Sequence, residues 1–157
     1  MTDDAGGRWD RRRRAREAAL QMLYQCEVGR LDVGTAAALL ARVGRPEAVS
    51  DLDAAHQAYA EALAGGAWSG RAAIDERIGD AARNWRVERL TALDRAVLRL
   101  AVHELLDQPA TPPRVVLNEA IELARAYSGD EAARFVNGVL DGVLRRLREE
   151  GRVVDER

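Results

Sequence analysis

From Val115 to Leu147 the chain reads VVLNEAIELARAYSGDEAARFVNGVLDGVLRRL, and its apolar residues recur at steps of three and four on both sides of one short polar turn. That period belongs to helices and not to strands, so the stretch predicts two amphipathic helices joined by a tight connection. In the first, Leu117, Ala120, Ile121 and Ala124 share a face that Tyr127 continues, while Asn118, Glu122 and Arg125 fall on another. Pro112 and Pro113 mark its start. In the second, Val136, Val139, Leu140, Val143 and Leu147 form one stripe. Gly138 and Gly142 lie one turn apart inside that helix, and each costs ~1 kcal/mol relative to alanine. Close approach by a neighbouring helix is the ordinary way to offset such a cost, and close approach by a ligand backbone is the functional one.

The same three-to-four period recurs elsewhere and no run alternates over a strand's length, so the chain is read as all-α. Its 157 residues suit one domain or two small subdomains. Residues 1 to 8 are small, polar and glycine-bearing and are expected to form a disordered tail. A helix is expected from Trp9, with Ala15, Ala19, Met22, Leu23 and Cys26 on a narrow apolar face and an arginine-rich beginning. Gly29 ends it, and a short helix over Gly34 to Val43 follows. Ser50, with Asp53 as the acidic residue at the third position, is the expected cap of a long helical stretch toward Asn84, whose weak point is Gly65-Gly66 and in which a kink or break is expected near Gly65 to Gly70 unless packing carries one helix through. These helices make an N-terminal bundle over 9–84, and a C-terminal bundle covers 85–150 with a tail after it. Trp85 to Leu90 links the two, and Thr91 with Asp94 caps a helix to Asp107. That helix is apolar on two sides, with Leu93, Val97, Leu100 and Ala101 in one row and Leu98, Val102, Leu105 and Leu106 in another. Arg95, Arg99 and His103 form a narrow polar stripe between them. It is either central in the bundle or the face that covers a partner.

Residues 8 to 16 hold six arginines and one aspartate, a local charge of +5 in a chain of net charge −2, and all 24 basic residues are arginine. Cations at a helix start oppose its macrodipole, so the cluster is not there to stabilise the helix. A phosphate backbone would offset that penalty, and a solvated charge run is the plain alternative. Tyr127 and Phe135 flank the turn SGDEAAR beside Arg134, where bases have room to stack, although aromatics at such places commonly serve the core.

Catalytic and metal constellations are incomplete. His103-Glu104 starts an H-E-x-x-H pattern, but Asp107 stands where the second histidine belongs. His56 and His103 are the only histidines and Cys26 the only cysteine, which leaves no multi-histidine metal site, no cysteine zinc site and no intrachain disulfide. Glu119 and Glu122 read as helix-surface carboxylates near Arg125. No glycine pattern cradles a phosphate, no cofactor is expected, and no apolar run is long enough to span a bilayer. A cytoplasmic, non-enzymatic protein is the expectation.

Three blocks carry a family resemblance: RRRRAREAALQMLYQCE (Arg11 to Glu27), ALDRAVLRLAVHELL (Ala92 to Leu106) and NEAIELARAYSGDEAARFVNGVLDGVL (Asn118 to Leu144). Together they closely resemble the NusB family of transcription antitermination factors, with NEAIELA and FVNGVLD the most specific parts. Between Leu31 and Asn84 the likeness is one of helical layout only. The resemblance implies two three-helix bundles packed across each other, no enzymatic activity, and binding of the boxA element of ribosomal RNA transcripts together with NusE, a small-subunit ribosomal protein, in an RNA polymerase antitermination complex. It implies an RNA surface of Arg12, Arg13, Arg14 and Arg16 with Tyr127, Arg134, Phe135 and Asn137. It implies a protein-partner surface of Asp94, Leu98 and Glu104 plus Tyr24, which is able to serve either surface. Whether the free protein is a monomer or a homodimer stays open. The rivals are the NusB-like RNA-binding module of a ribosomal RNA methyltransferase and a protein-only helical adaptor.

Overall fold

A computed structural model of the protein describes residues 3–42, 53–82, 90–108 and 110–153. Among these residues all regular structure is helical, in seven helices: α1 Asp3–Val28, α2 Val33–Arg42, α3 Ala54–Ser69, α4 Arg71–Ala81, α5 Ala92–Asp107, α6 Pro113–Ser128 and α7 Asp130–Glu149. The all-α reading is therefore correct. The chain divides into two compact units, 1–68 and 69–157.

In the first unit, α1 begins at Asp3, ahead of the expected Trp9, so residues 3–8 are helical where a tail was expected. Its apolar face is buried as the spacing predicted, with Ala15, Ala19, Met22, Leu23 and Cys26 all inside. The helix stops at Gly29, where a side chain would meet the Gln25 carbonyl oxygen at 2.8 Å, and Arg30 follows with φ 55°. Asp32 opens α2 by accepting a 2.7 Å hydrogen bond from the Thr35 amide, a usual N-terminal cap. Asp53 does the same for α3, accepting from the His56 amide at 2.8 Å. Ser50, the expected cap with Asp53 as its acidic third residue, lies outside the described residues, as does Val43, the expected last residue of α2.

No break occurs at Gly65-Gly66. Leu63, Ala64 and Ala67 are buried around that pair, and their packing carries α3 on to Ser69. The break comes at Gly70, the far end of the expected Gly65–Gly70 window, and α4 begins one residue later. With α4 the second unit starts, upstream of the 84/85 division expected from sequence, because α4 packs on α5 and α7. The expected linker lies mostly outside the described residues.

Thr91 caps α5 as expected, its hydroxyl accepting from the Asp94 amide at 3.1 Å. From Ala96 to Leu105 every residue of α5 is buried. The helix lies against α4, α6 and α7, which explains its two apolar rows. Of the expected polar stripe, Arg99 and His103 are buried and Arg95 is half-buried. Pro113 opens α6, a position where its missing amide costs nothing. On α7, Val136, Val139, Leu140, Val143 and Leu147 are all buried. At ~1.5–3 kcal/mol for each such side chain, this stripe outweighs the ~2 kcal/mol cost of two glycines. Gly142 itself faces α4: a side chain there would meet the Ala81 Cβ at 3.2 Å. Helix packing accounts for Gly142, whereas Gly138 has open space where its side chain would be.

Candidate nucleic-acid interface

Four consecutive arginines on a helix point around it rather than along one face, and the first unit shows the result. Arg11 and Arg13 are exposed, and Arg12 and Arg14 half-buried. Arg11 lies 3.9 Å from the Asp53 carboxylate. The Arg12 guanidinium sits 5.9 Å from the centre of the Tyr59 ring, within cation–π reach. This arrangement steadies the side chains while keeping their charge near solvent.

Arg16 departs from the expectation. It is 1% exposed, on the turn that continues into Ala19, Leu20 and Leu23, all buried. Arg16 thus belongs to the inward stripe of α1 and is not an outward phosphate contact. Tyr24, further along the helix, is half-buried.

In the second unit, a single residue separates α6 from α7. Gly129 has φ 91°, a conformation that only glycine adopts without strain, so the connection is one sharp reversal. Its amide donates to the Arg125 carbonyl at 3.0 Å and its carbonyl accepts from the Ala133 amide at 3.1 Å, so one residue closes α6 and opens α7. Arg125 braces the turn: its Nε donates to the Asp130 carboxylate at 3.1 Å and its Nη1 pairs with Glu122. Beside this turn Tyr127 is 39% exposed, Arg134 and Asn137 are exposed, and Phe135 is half-buried. The last turn of α6 and the first two turns of α7 thus carry all four residues, with Tyr127, Arg134 and Asn137 open to solvent. Tyr127 is not a core residue.

The expected protein-partner residues are split by burial. Asp94 is half-buried near the start of α5, but Leu98 is 0% and Glu104 2% exposed. Both lie within the fully enclosed part of α5, so neither offers a surface to a partner. A helix buried on all sides gives no sequence signal for which of its faces is free.

Between the first half of α6 and the outer side of α7 lies a cavity of about 880 Å³. Arg114 and Asn118 line it from α6, and Asn137, Asp141 and Arg148 from α7. Of these, only Asn137 had been assigned to a site from sequence. The steps 137, 141, 144 and 148 along α7 were the available signal.

Both histidines pair with a carboxylate close to them in the chain. His56 Nδ1 lies 2.8 Å from Asp53 and His103 Nδ1 3.0 Å from Asp107, each a local helical pairing. Among the described residues no three metal-ligating side chains cluster, and no helix is long and apolar enough to cross a membrane.

The sequence model of the NusB family matches residues 13–145. The chain belongs to the NusB family. Its relatives include the transcription antitermination protein NusB of Symbiobacterium thermophilum, 42% identical over 139 residues that cover 87% of this chain and 91% of that protein. The NusB of Anaeromyxobacter dehalogenans strain 2CP-1 is 44% identical over 137 residues, covering 87% and 92%. Among solved structures, T. maritima NusB superposes with a TM-score of 0.74 at 32% identity, covering 85% of this chain and 90% of that one. A chain from the complex of NusB and NusE with double-stranded RNA superposes with a TM-score of 0.73 at 26% identity, covering 87% and 97%. NusB proteins are antitermination factors and not enzymes.

Proposed function

We propose that the protein binds single-stranded boxA RNA of ribosomal RNA transcripts together with NusE, and that this assembly promotes read-through by RNA polymerase in the cytoplasm. The observation that carries the reading is the exposed cluster of Tyr127, Arg134 and Asn137, with Phe135 half-buried behind it, at the Gly129 turn. Unpaired bases bind proteins by stacking on aromatic rings and by hydrogen bonding on their edges, and this cluster supplies both. Arg12, Arg13 and Arg14 on α1 supply phosphate neutralisation, which gives affinity without sequence preference. The relatives support NusE and RNA as partners: the matched proteins are antitermination factors, and one solved neighbour is a complex of NusB and NusE with double-stranded RNA. Tyr24 and Asp94, both part-exposed, remain available to NusE.

The two kinds of contact separate experimentally. Arg13→Ala lowers affinity for boxA and for scrambled RNA by similar factors. Phe135→Ala lowers the preference for boxA over scrambled RNA. Equal losses for both RNAs in the Phe135 variant would contradict the assignment of specificity to the turn. A homodimer covering these residues would make RNA affinity fall with rising protein concentration, which sedimentation run beside the titration detects.

A further inference from the structure

The α6–α7 cavity shares Asn137 with the cluster at the turn and is otherwise lined by residues that the cluster does not use. Its volume of about 880 Å³ lies in the range of small-ligand sites. Its floor is apolar, formed by the buried Leu117 and Leu144. Two arginines, Arg114 and Arg148, face one carboxylate, Asp141, which leaves the rim net positive. Asn118 and Asn137 each present a hydrogen-bond donor and an acceptor from opposite helices. An apolar floor, carboxamides on the walls and guanidiniums on the rim suit a base, its polar edge and its phosphates.

Two further observations bear on the occupant. Asn137 belongs both to this cavity and to the cluster at the Gly129 turn, so one surface runs into the other. Gly138, the next residue, is exposed and has nothing within 4 Å of where a Cβ would stand, so no packing within the described residues accounts for it. Gly142, by contrast, is accounted for by Ala81. Gly138 does not itself line the groove, and its bare backbone leaves the surface next to Asn137 open to close approach.

We infer that the α6–α7 groove is a second RNA subsite, which takes unpaired nucleotides flanking boxA and reads a base with Asn118 and Asn137. This rests on the boxA reading above and extends it. Asn137 and Arg148 stand eleven residues apart on α7, about 16 Å along the axis, a length for a short run of nucleotides rather than one base. The net positive rim favours a polyanion, and Asp141 opposes phosphate only at its own end of the groove.

The test compares boxA core RNA with the same RNA extended by its natural flanking nucleotides, on the full chain. Wild type binds the extended RNA about tenfold more tightly than the core, the worth of one good base contact. Asn118→Ala and Arg114→Glu each abolish most of that gain while thermal unfolding shows a folded protein. A wild-type protein that binds both RNAs equally overturns the proposal, and so do variants that keep the full gain. Loss of NusE binding in these variants with the gain intact overturns it in favour of a protein site. Failure of wild type to prefer boxA at all is a different result, and it removes the underlying reading instead.

Discussion

Arg99 on α5 reaches Asp75 on α4 through two parallel 2.8 Å hydrogen bonds, Nε to Oδ1 and Nη2 to Oδ2. The arginine side chain is 8% exposed and the aspartate 36%, so the pair closes the edge of a core rather than decorating a surface. It ties α4 into the second unit.

Removing the acceptor leaves a buried guanidinium short of a partner. Asp75→Ala is expected to cost about 2 kcal/mol, the usual scale for hydrogen bonds to a charged group. Asp75→Asn, which keeps one acceptor oxygen, costs less. Urea unfolding midpoints check this, and equal midpoints for wild type and Asp75→Ala would show that the pair contributes nothing.

The two glycines of α7 separate under the same substitution. Gly138→Ala adds a methyl to open space and relieves a helix-interior glycine, so stability rises by about 1 kcal/mol. Gly142→Ala drives its methyl to 3.2 Å from the Ala81 Cβ, so the same gain does not appear. Denaturation of both variants decides between them. In RNA titrations a bulky side chain at 138 weakens binding although the helix beneath it is stronger.

Asp53 sets a pH dependence for α3. The His56 amide that it caps, then the His56 ring and Arg11, hold its carboxyl below the usual carboxylate range. A depressed folded-state value means that the cap's contribution is fully present above the unfolded-state value and is lost as pH falls through the lower, folded one. The amides of His56 and Gln57 therefore lose hydrogen-exchange protection only at pH below the ordinary aspartate range. Asp53→Asn removes that pH dependence, and an unchanged profile in the variant would assign it elsewhere.

The α6–α7 pair was legible in sequence because its apolar residues repeat without interruption over both helices, and because Pro113 and Gly129 punctuate them. The cap at Thr91 was legible for the same local reason, since it acts within three residues of itself, whereas at α3 the sequence pattern points to Ser50 as the cap and Asp53 is the residue that accepts the His56 amide. What stayed hidden was non-local. Arg99 looked like part of a polar stripe because its partner lies 24 residues away on another helix. Arg16 looked like one more member of a basic run, although its position four and seven residues before Leu20 and Leu23 puts it on the buried stripe. Leu98 and Glu104 were assigned to a surface on a helix that has none along that stretch. The groove depends on two helices meeting side by side, so the α7 steps of Asn137, Asp141, Leu144 and Arg148 mark only one of its walls.

With Arg16 inside, the outward cations assigned to RNA are Arg12, Arg13, Arg14 and Arg134. Neutralising about four phosphates gives a slope near −3 in a plot of log affinity against log salt, at ~0.7 per phosphate for single strands. Arg13→Ala makes that slope shallower by roughly 0.7. A slope near zero in wild type would contradict phosphate contact altogether.

The central claim is tested most directly by titrating labelled boxA RNA and a scrambled RNA of equal length with the protein, alone and with NusE, at one fixed salt concentration. The account predicts tighter binding of boxA than of scrambled RNA, with the preference widened by NusE. Equal affinity for the two RNAs in the presence of NusE would contradict it.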